Sequence, residues 1–161
     1  MSAPARASAP VSVTSPNAGR PAVYYTDPSG RLRHDLSASD LKQVVHSKAG
    51  QLWMDVRTGD EQCGSVLKDV FGFHPLAVED ALNPASRVKV DEYPDFLFAI
   101  IRGIRFLDST RDPYDLETFN ISFFLGPNYL VTVHNGESGA FADMSDRVTR
   151  HPDVLQRGAS R

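Results

Sequence analysis

Cysteine occurs once among the 161 residues, at Cys63, which excludes an intramolecular disulfide framework and any zinc site needing two or more thiolates. A lone thiol fits a reducing compartment. Basic residues are in the minority: 17 Lys and Arg against 20 Asp and Glu leave a formal charge of −3, with a pI near 5.9. That balance argues against a surface that neutralises phosphates, so nucleic acid is not expected as a partner. Long apolar runs are missing too, the longest being Phe96 to Ile101 where crossing a bilayer takes ~20 residues. No part of the chain is expected to span a membrane, and the N-terminus lacks the apolar core of a signal peptide. Glycine-rich phosphate loops, the Gly-x-Ser-x-Gly elbow and His-Glu-x-x-His are all absent. Nucleotide binding, serine hydrolysis and zinc hydrolysis by those routes drop out.

What is present has globular proportions, 41% hydrophobic and 23% charged, in a length that suits one domain with one core. Residues 1–21 are mostly Ala, Pro, Ser and Arg, with no carboxylate before Asp27. They offer little apolar surface to offset ordering entropy and are expected to form a disordered tail before a domain over 22–161.

Val23 to Tyr25 and Arg31 to Leu36 flank Asp27-Pro28-Ser29-Gly30, whose Asp, Pro and Gly suit a type I turn, and predict a hairpin. Ser37 and Asp40 make a capping pair for a helix from Ala38 to Ala49, followed by a short strand from Leu52 to Val56. Thr58 and Glu61 form a second pair ahead of Cys63, Val66, Leu67, Val70 and Phe71, a helical stripe that ends at Gly72. Cys63 on that stripe reads as an inert core thiol. His74-Pro75 opens a short helix and Asn83-Pro84 closes it. Phe96 to Phe106, Glu117 to Leu125 and Tyr129 to His134 read as three antiparallel strands, with Phe123 and Val131 placed on the sheet against the helices. Phe141, Met144 and Val148 mark a last helix, interrupted at His151-Pro152. This order predicts an α/β fold, a mixed β-sheet sandwiched between helices.

Catalytic equipment is sparse. His34, His46, His74, His134 and His151 are scattered and read as surface or capping groups, Trp53 reads as core, and no nucleophile, base and ligand set converges. An enzyme is not expected. The one local anomaly is Glu79-Asp80, two acids in the last turn of the short helix, at the negative end of its macrodipole. Acids there are disfavoured by ~0.3–1 kcal/mol each. Arg87 and Lys89 folding back would neutralise them; a divalent ion is the other solution. Adjacent helical residues point about 100° apart, so the two carboxylates cannot grip one ion alone. Oxygen ligands from elsewhere, around a hydrated hard ion such as Mg²⁺, would be required.

The run Phe71-Gly-Phe-His-Pro-Leu-Ala-Val-Glu-Asp-Ala-Leu-Asn-Pro84 resembles the signature of the cytoplasmic domain of CorA-type magnesium and cobalt transporters. The likeness continues through Arg87-Val-Lys-Val-Asp-Glu-Tyr93, Phe96-Leu-Phe98 and Ile121-Ser-Phe-Phe-Leu-Gly-Pro-Asn-Tyr-Leu-Val-Thr-Val-His134, with Val88 where the family often has proline. The resemblance implies the cytoplasmic regulatory domain of a homopentameric ion transporter, with Asp80 in a divalent-cation site between subunits and Glu79 close by. Mg²⁺ is the implied regulatory ion, bound weakly by this chain, with Co²⁺, Ni²⁺ or Zn²⁺ as alternatives. The family's later cytoplasmic helices, stalk, membrane helices and Gly-Met-Asn pore motif are not among these 161 residues, so a domain cut before them is expected, either as a soluble piece of a transporter or as a truncated relative. Membrane contact would come only through them. The alternative is a stand-alone interaction module that keeps the fold without transport.

Overall fold

The computed structural model describes residues 20–60, 62–135 and 138–157. Among these residues seven strands form one mixed sheet: β1 (Ala22–Thr26), β2 (Leu32–Arg33), β3 (Gln51–Arg57), β4 (Lys89–Glu92), β5 (Leu97–Phe106), β6 (Leu116–Leu125) and β7 (Tyr129–His134). Their spatial order is β2-β1-β3-β7-β6-β5-β4. Only β3 and β7 run parallel, so they need a long crossover, and every other pair is antiparallel. Helix α1 (Ala38–Ser47) precedes β3, whereas α2 (Cys63–Ser65) and α3 (Pro75–Leu82) follow it within the crossover, and all three pack on one face of the sheet.

Helix α1 (Ala38–Ser47) starts at the expected capping box, where Ser37 and Asp40 each bond the other's backbone. Lys48 ends it in the left-handed conformation at φ 56°. The Asp27 turn also forms as read, with Gly30 N donating to Asp27 O at 2.9 Å. The next helix departs from expectation. Only Cys63–Ser65 is α-helical (α2), and Val66–Val70 widens into a π-helical turn in which Phe71 N bonds Val66 O. The expected capping partner Glu61 lies outside the described residues, and the residue that precedes α2, Gln62, makes no side-chain cap. The wider turn keeps Leu67 and Phe71 facing inward and stacks Phe71 on Phe73 at 5.1 Å. Helix α3 (Pro75–Leu82) has the expected bounds, with His74 Nδ1 accepting from Leu76 N at its start.

The main core lies between these helices and Leu52, Met54, Val56, Phe98, Ile100 and Phe124 of the sheet. Helices α4 (Gly139–Arg150) and α5 (Asp153–Gln156) cover the opposite face, where Val148 is buried and Phe141 stacks on His134 at 4.2 Å. Helices therefore stand on both sides of a mixed sheet, as expected. Among the described residues no helix is long and apolar enough to cross a membrane.

Two further sequence expectations need correction. Val131 is buried on the main core face, but Phe123 pairs with Thr132 and points to the other face, where it is only half-buried. Neighbours in a strand alternate sides, and Phe124 takes the core position expected of Phe123. His134 is not a surface or capping group. It is 2% exposed, because position 134 shares its face with Leu130 and Thr132 beneath α4. Strand β4 and helix α5 are additions that were not anticipated; each is only four residues long.

Cys63 is buried, as expected. Burial, and secondarily the Asp60 charge, pushes its thiol up to about 11. Burial first, then Asp95, likewise raises Tyr129 to about 12. Between the ordinary thiol value and the raised one, an unfolded chain ionises Cys63 while the folded one keeps its proton. This contribution to stability is therefore complete below the unfolded value and is lost as pH rises towards about 11. The urea midpoint should fall across that window, and less steeply in Cys63→Ala. An identical slope in the variant would remove Cys63 from the account.

Candidate functional site

Proline at its first position sets up α3, and Ala77, Val78 and Ala81 bury its inner face. That packing turns Glu79 to solvent and leaves Asp80 half-buried in the last turn. The chain then returns through β4, the sheet's edge, where alternation puts Lys89 and Asp91 opposite Ile100 and Phe98 on the helix side. Val90 points the other way and is 65% exposed.

Lys89 closes the site. Its ammonium donates to Asp80 Oδ2 at 2.5 Å and contacts Asp91 Oδ2 at 2.8 Å, and it lies 5.7 Å from the centre of the Phe98 ring. The hydrogen bond to Asp80, then that to Asp91, holds the Lys89 pKa above the ordinary lysine range. Of the two bases expected to fold back on the helix end, Lys89 does so, and it also offsets the negative end of the α3 dipole. Glu79 and Asp80 are not brought onto one point, as their helical phase required. Asp91 was not picked out from the sequence, although the alternation of Val88 and Val90 with Lys89 and Asp91 signals a strand with a charged inner face.

The donor chemistry suits a hard cation. Carboxylate oxygens are what Mg²⁺ prefers, it keeps much of its water, and the Lys89 ammonium already stands in as a cation between two of them. Both acids remain partly open to solvent, 33% for Asp80 and 40% for Asp91, so ions can reach them. Among the described residues no group of three or more His, Cys, Asp or Glu is assembled to hold a metal, so any such ion needs further ligands.

A second polar cluster lies under α4. Asp55 accepts from Thr132 Oγ1 at 2.5 Å and lies 3.0 Å from His134 Nε2, while Trp53 Nε1 donates to Thr132 Oγ1 at 3.1 Å. It joins the parallel pair β3 and β7 at the buried centre of the sheet.

This arrangement of sheet and helices is that of the soluble domains of CorA-type proteins. The soluble domain of CorA from Methanocaldococcus jannaschii matches 80% of this chain and 46% of its own, with a TM-score of 0.57 at 16% identity. The ZntB cytoplasmic domain from Vibrio parahaemolyticus matches 83% of this chain and 51% of its own, with a TM-score of 0.60 at 15% identity. At that identity the likeness concerns fold alone. Sequence carries the kinship: residues 48–159 match the family described as CorA-like Mg2+ transporter protein, and the chain belongs to that family. The YfjQ protein of Bacillus subtilis (strain 168) is 31% identical over 118 residues, which is 73% of this chain and 35% of that protein. The chain thus spans about a third of that relative's length.

Proposed function

We propose that this chain is the divalent-cation-sensing regulatory domain of a CorA-like transporter, with Asp80 as an ion ligand and Glu79 assisting it. The observation that carries the reading is the Asp80 carboxylate. It stands at the water-accessible end of α3, where an acid is electrostatically misplaced, and it already holds a cationic group. Mg²⁺ is the first candidate on the family's description and the oxygen donors; Co²⁺, Ni²⁺ and Zn²⁺ follow. The remaining ligands would come from a neighbouring subunit of a homo-oligomer, a pentamer by the family resemblance, on the cytoplasmic side of the membrane.

An ion bridging two subunits shifts a closed-to-open equilibrium only by its differential affinity for the two states. Asp80 would supply that difference, since its oxygens meet the neighbour's ligands only when the subunits are close. The test is limited proteolysis of a transporter carrying this domain, across a Mg²⁺ titration. Asp80→Asn should lose most of the Mg²⁺-dependent protection and Glu79→Gln less. Unchanged protection in Asp80→Asn would leave Asp80 an ordinary solvated acid.

A further inference from the structure

Strand β5 outruns the strand beside it. Its pairing with β4 ends at Ile100, and past that point no strand among the described residues lies against the same edge, while its pairing with β6 continues to Phe106. Backbone groups in an antiparallel strand turn to alternate sides, residue by residue. Tyr93 N donates to Phe96 O at 2.9 Å, so in register Phe98 and Ile100 also bond β4. Leu107 N donates to Asp115 O at 3.0 Å, so Arg105, Gly103 and Ile101 bond β6. The N–H and C=O groups of Arg102, Ile104 and Phe106 are therefore the ones that face the open edge. Apolar side chains stand beside them, Ile104 60% exposed and Phe106 65%. No proline interrupts residues 101–106 to blunt the edge.

We propose that this edge joins two copies of the chain, which pair their β5 strands antiparallel about Ile104 and extend one sheet into the other. The spacing selects a second copy as the occupant. Because the outward residues 102, 104 and 106 are symmetric about Ile104, a twofold axis there sets Ile104 against the partner's Ile104 and Arg102 against the partner's Phe106. Every outward N–H and C=O of both strands is then bonded. Moving the axis to Gly103 would set Phe106 against the partner's Ile100, whose backbone groups are already bonded to Lys89. Charge agrees with the same register. Arg102 and Arg105 point to opposite faces of the strand, so about Ile104 no arginine opposes another, and each Arg102 guanidinium meets an aromatic ring. Such an isologous contact closes on two copies and builds no ring, so it is separate from the subunit contact invoked above. With only short strands to bury, it is a weak interface.

Sedimentation equilibrium of the purified chain tests this at concentrations up to ~1 mM, where small interfaces become populated. The mean mass should rise from 17.7 kDa towards twice that value. Ile104→Pro deletes an N–H that faces the open edge and not β6, so it should keep the fold and hold the mass at that of one copy. Ile104→Lys and Ile104→Glu should each do the same, because each sets like charges against one another across the axis. Mixed in equal amounts, those two variants should associate again, about tenfold more tightly than either alone. Circular dichroism checks the fold of each, and if Ile104→Pro unfolds, the charged pair decides. A wild-type mass of one copy at every concentration would overturn the self-pairing and leave the edge to an extended peptide of another protein. A dimer that survives every substitution would lie elsewhere, as at the apolar cleft between the sheet and α4, and would overturn it too. Failure of the mixed charged variants to associate would overturn the pairing about Ile104.

Discussion

Phe124→Ala is expected to cost ~3–5 kcal/mol, a large share of the stability of a domain this size. Phe124 is fully buried, and its ring lies 4.1 Å from that of Phe73, in a stacked geometry, and 4.7 Å from that of Phe98. These rings join the centre of the sheet to the segment between the π-helical turn and α3, so truncation leaves a cavity lined by groups that cannot all move in. Phe123→Ala, one residue away, should cost only about 1 kcal/mol, because that ring is half-buried at a cleft of about 400 Å³ between the sheet and α4. Urea denaturation of both variants checks the pair. Equal costs would mean that the two faces of β6 are equally packed, contrary to the register in which Phe124 faces Val131 and Phe123 faces Thr132.

That contrast also marks where sequence patterning stops being informative. Ser37 with Asp40, Asp27 to Gly30, and His74-Pro75 each act within a few residues, and each local element forms where its residues place it. The aromatic and β-branched runs likewise mark β5, β6 and β7. Facing is a different matter. In Ile121 to Leu125 both faces of β6 carry apolar residues, because helices stand on both sides of the sheet, so alternation alone does not say which ring enters the main core. The π-helical turn was hidden for a similar reason. Its stripe of Cys63, Leu67 and Phe71 fits a plain α-helix, and the widening comes from tertiary packing of Phe71 and Phe73. At the site, Asp80 stood out because a carboxylate at a helix C-terminus breaks a local rule. Asp91 breaks none, and becomes visible only once β4 is paired to β5 and Lys89 is seen reaching both acids.

Asp55→Ala is expected to cost ~2–5 kcal/mol, the penalty for taking an acceptor away from two buried groups. The Asp55 side chain is 15% exposed and His134 2%, so water reaches neither readily. Thr132 Oγ1 and His134 Nε2 both meet Asp55 Oδ1, and the Thr132 oxygen in turn accepts from Trp53, so one carboxylate organises three side chains across β3 and β7. Those strands form the sheet's parallel pair, with no tight turn to hold their register; side-chain bonds across them help to fix it. Asp55→Asn retains an acceptor oxygen for Thr132 and should recover part of the loss. Trp53 is the chain's one tryptophan, and it stacks on Tyr24 at 4.8 Å, so its emission reports the network directly. The midpoint of urea denaturation should drop in Asp55→Ala, with a red shift in native-state emission as Trp53 loses its ordered partner. A cost below about 1 kcal/mol with unchanged emission would show that Thr132 and His134 find substitute partners, and that the cluster does not hold β3 to β7.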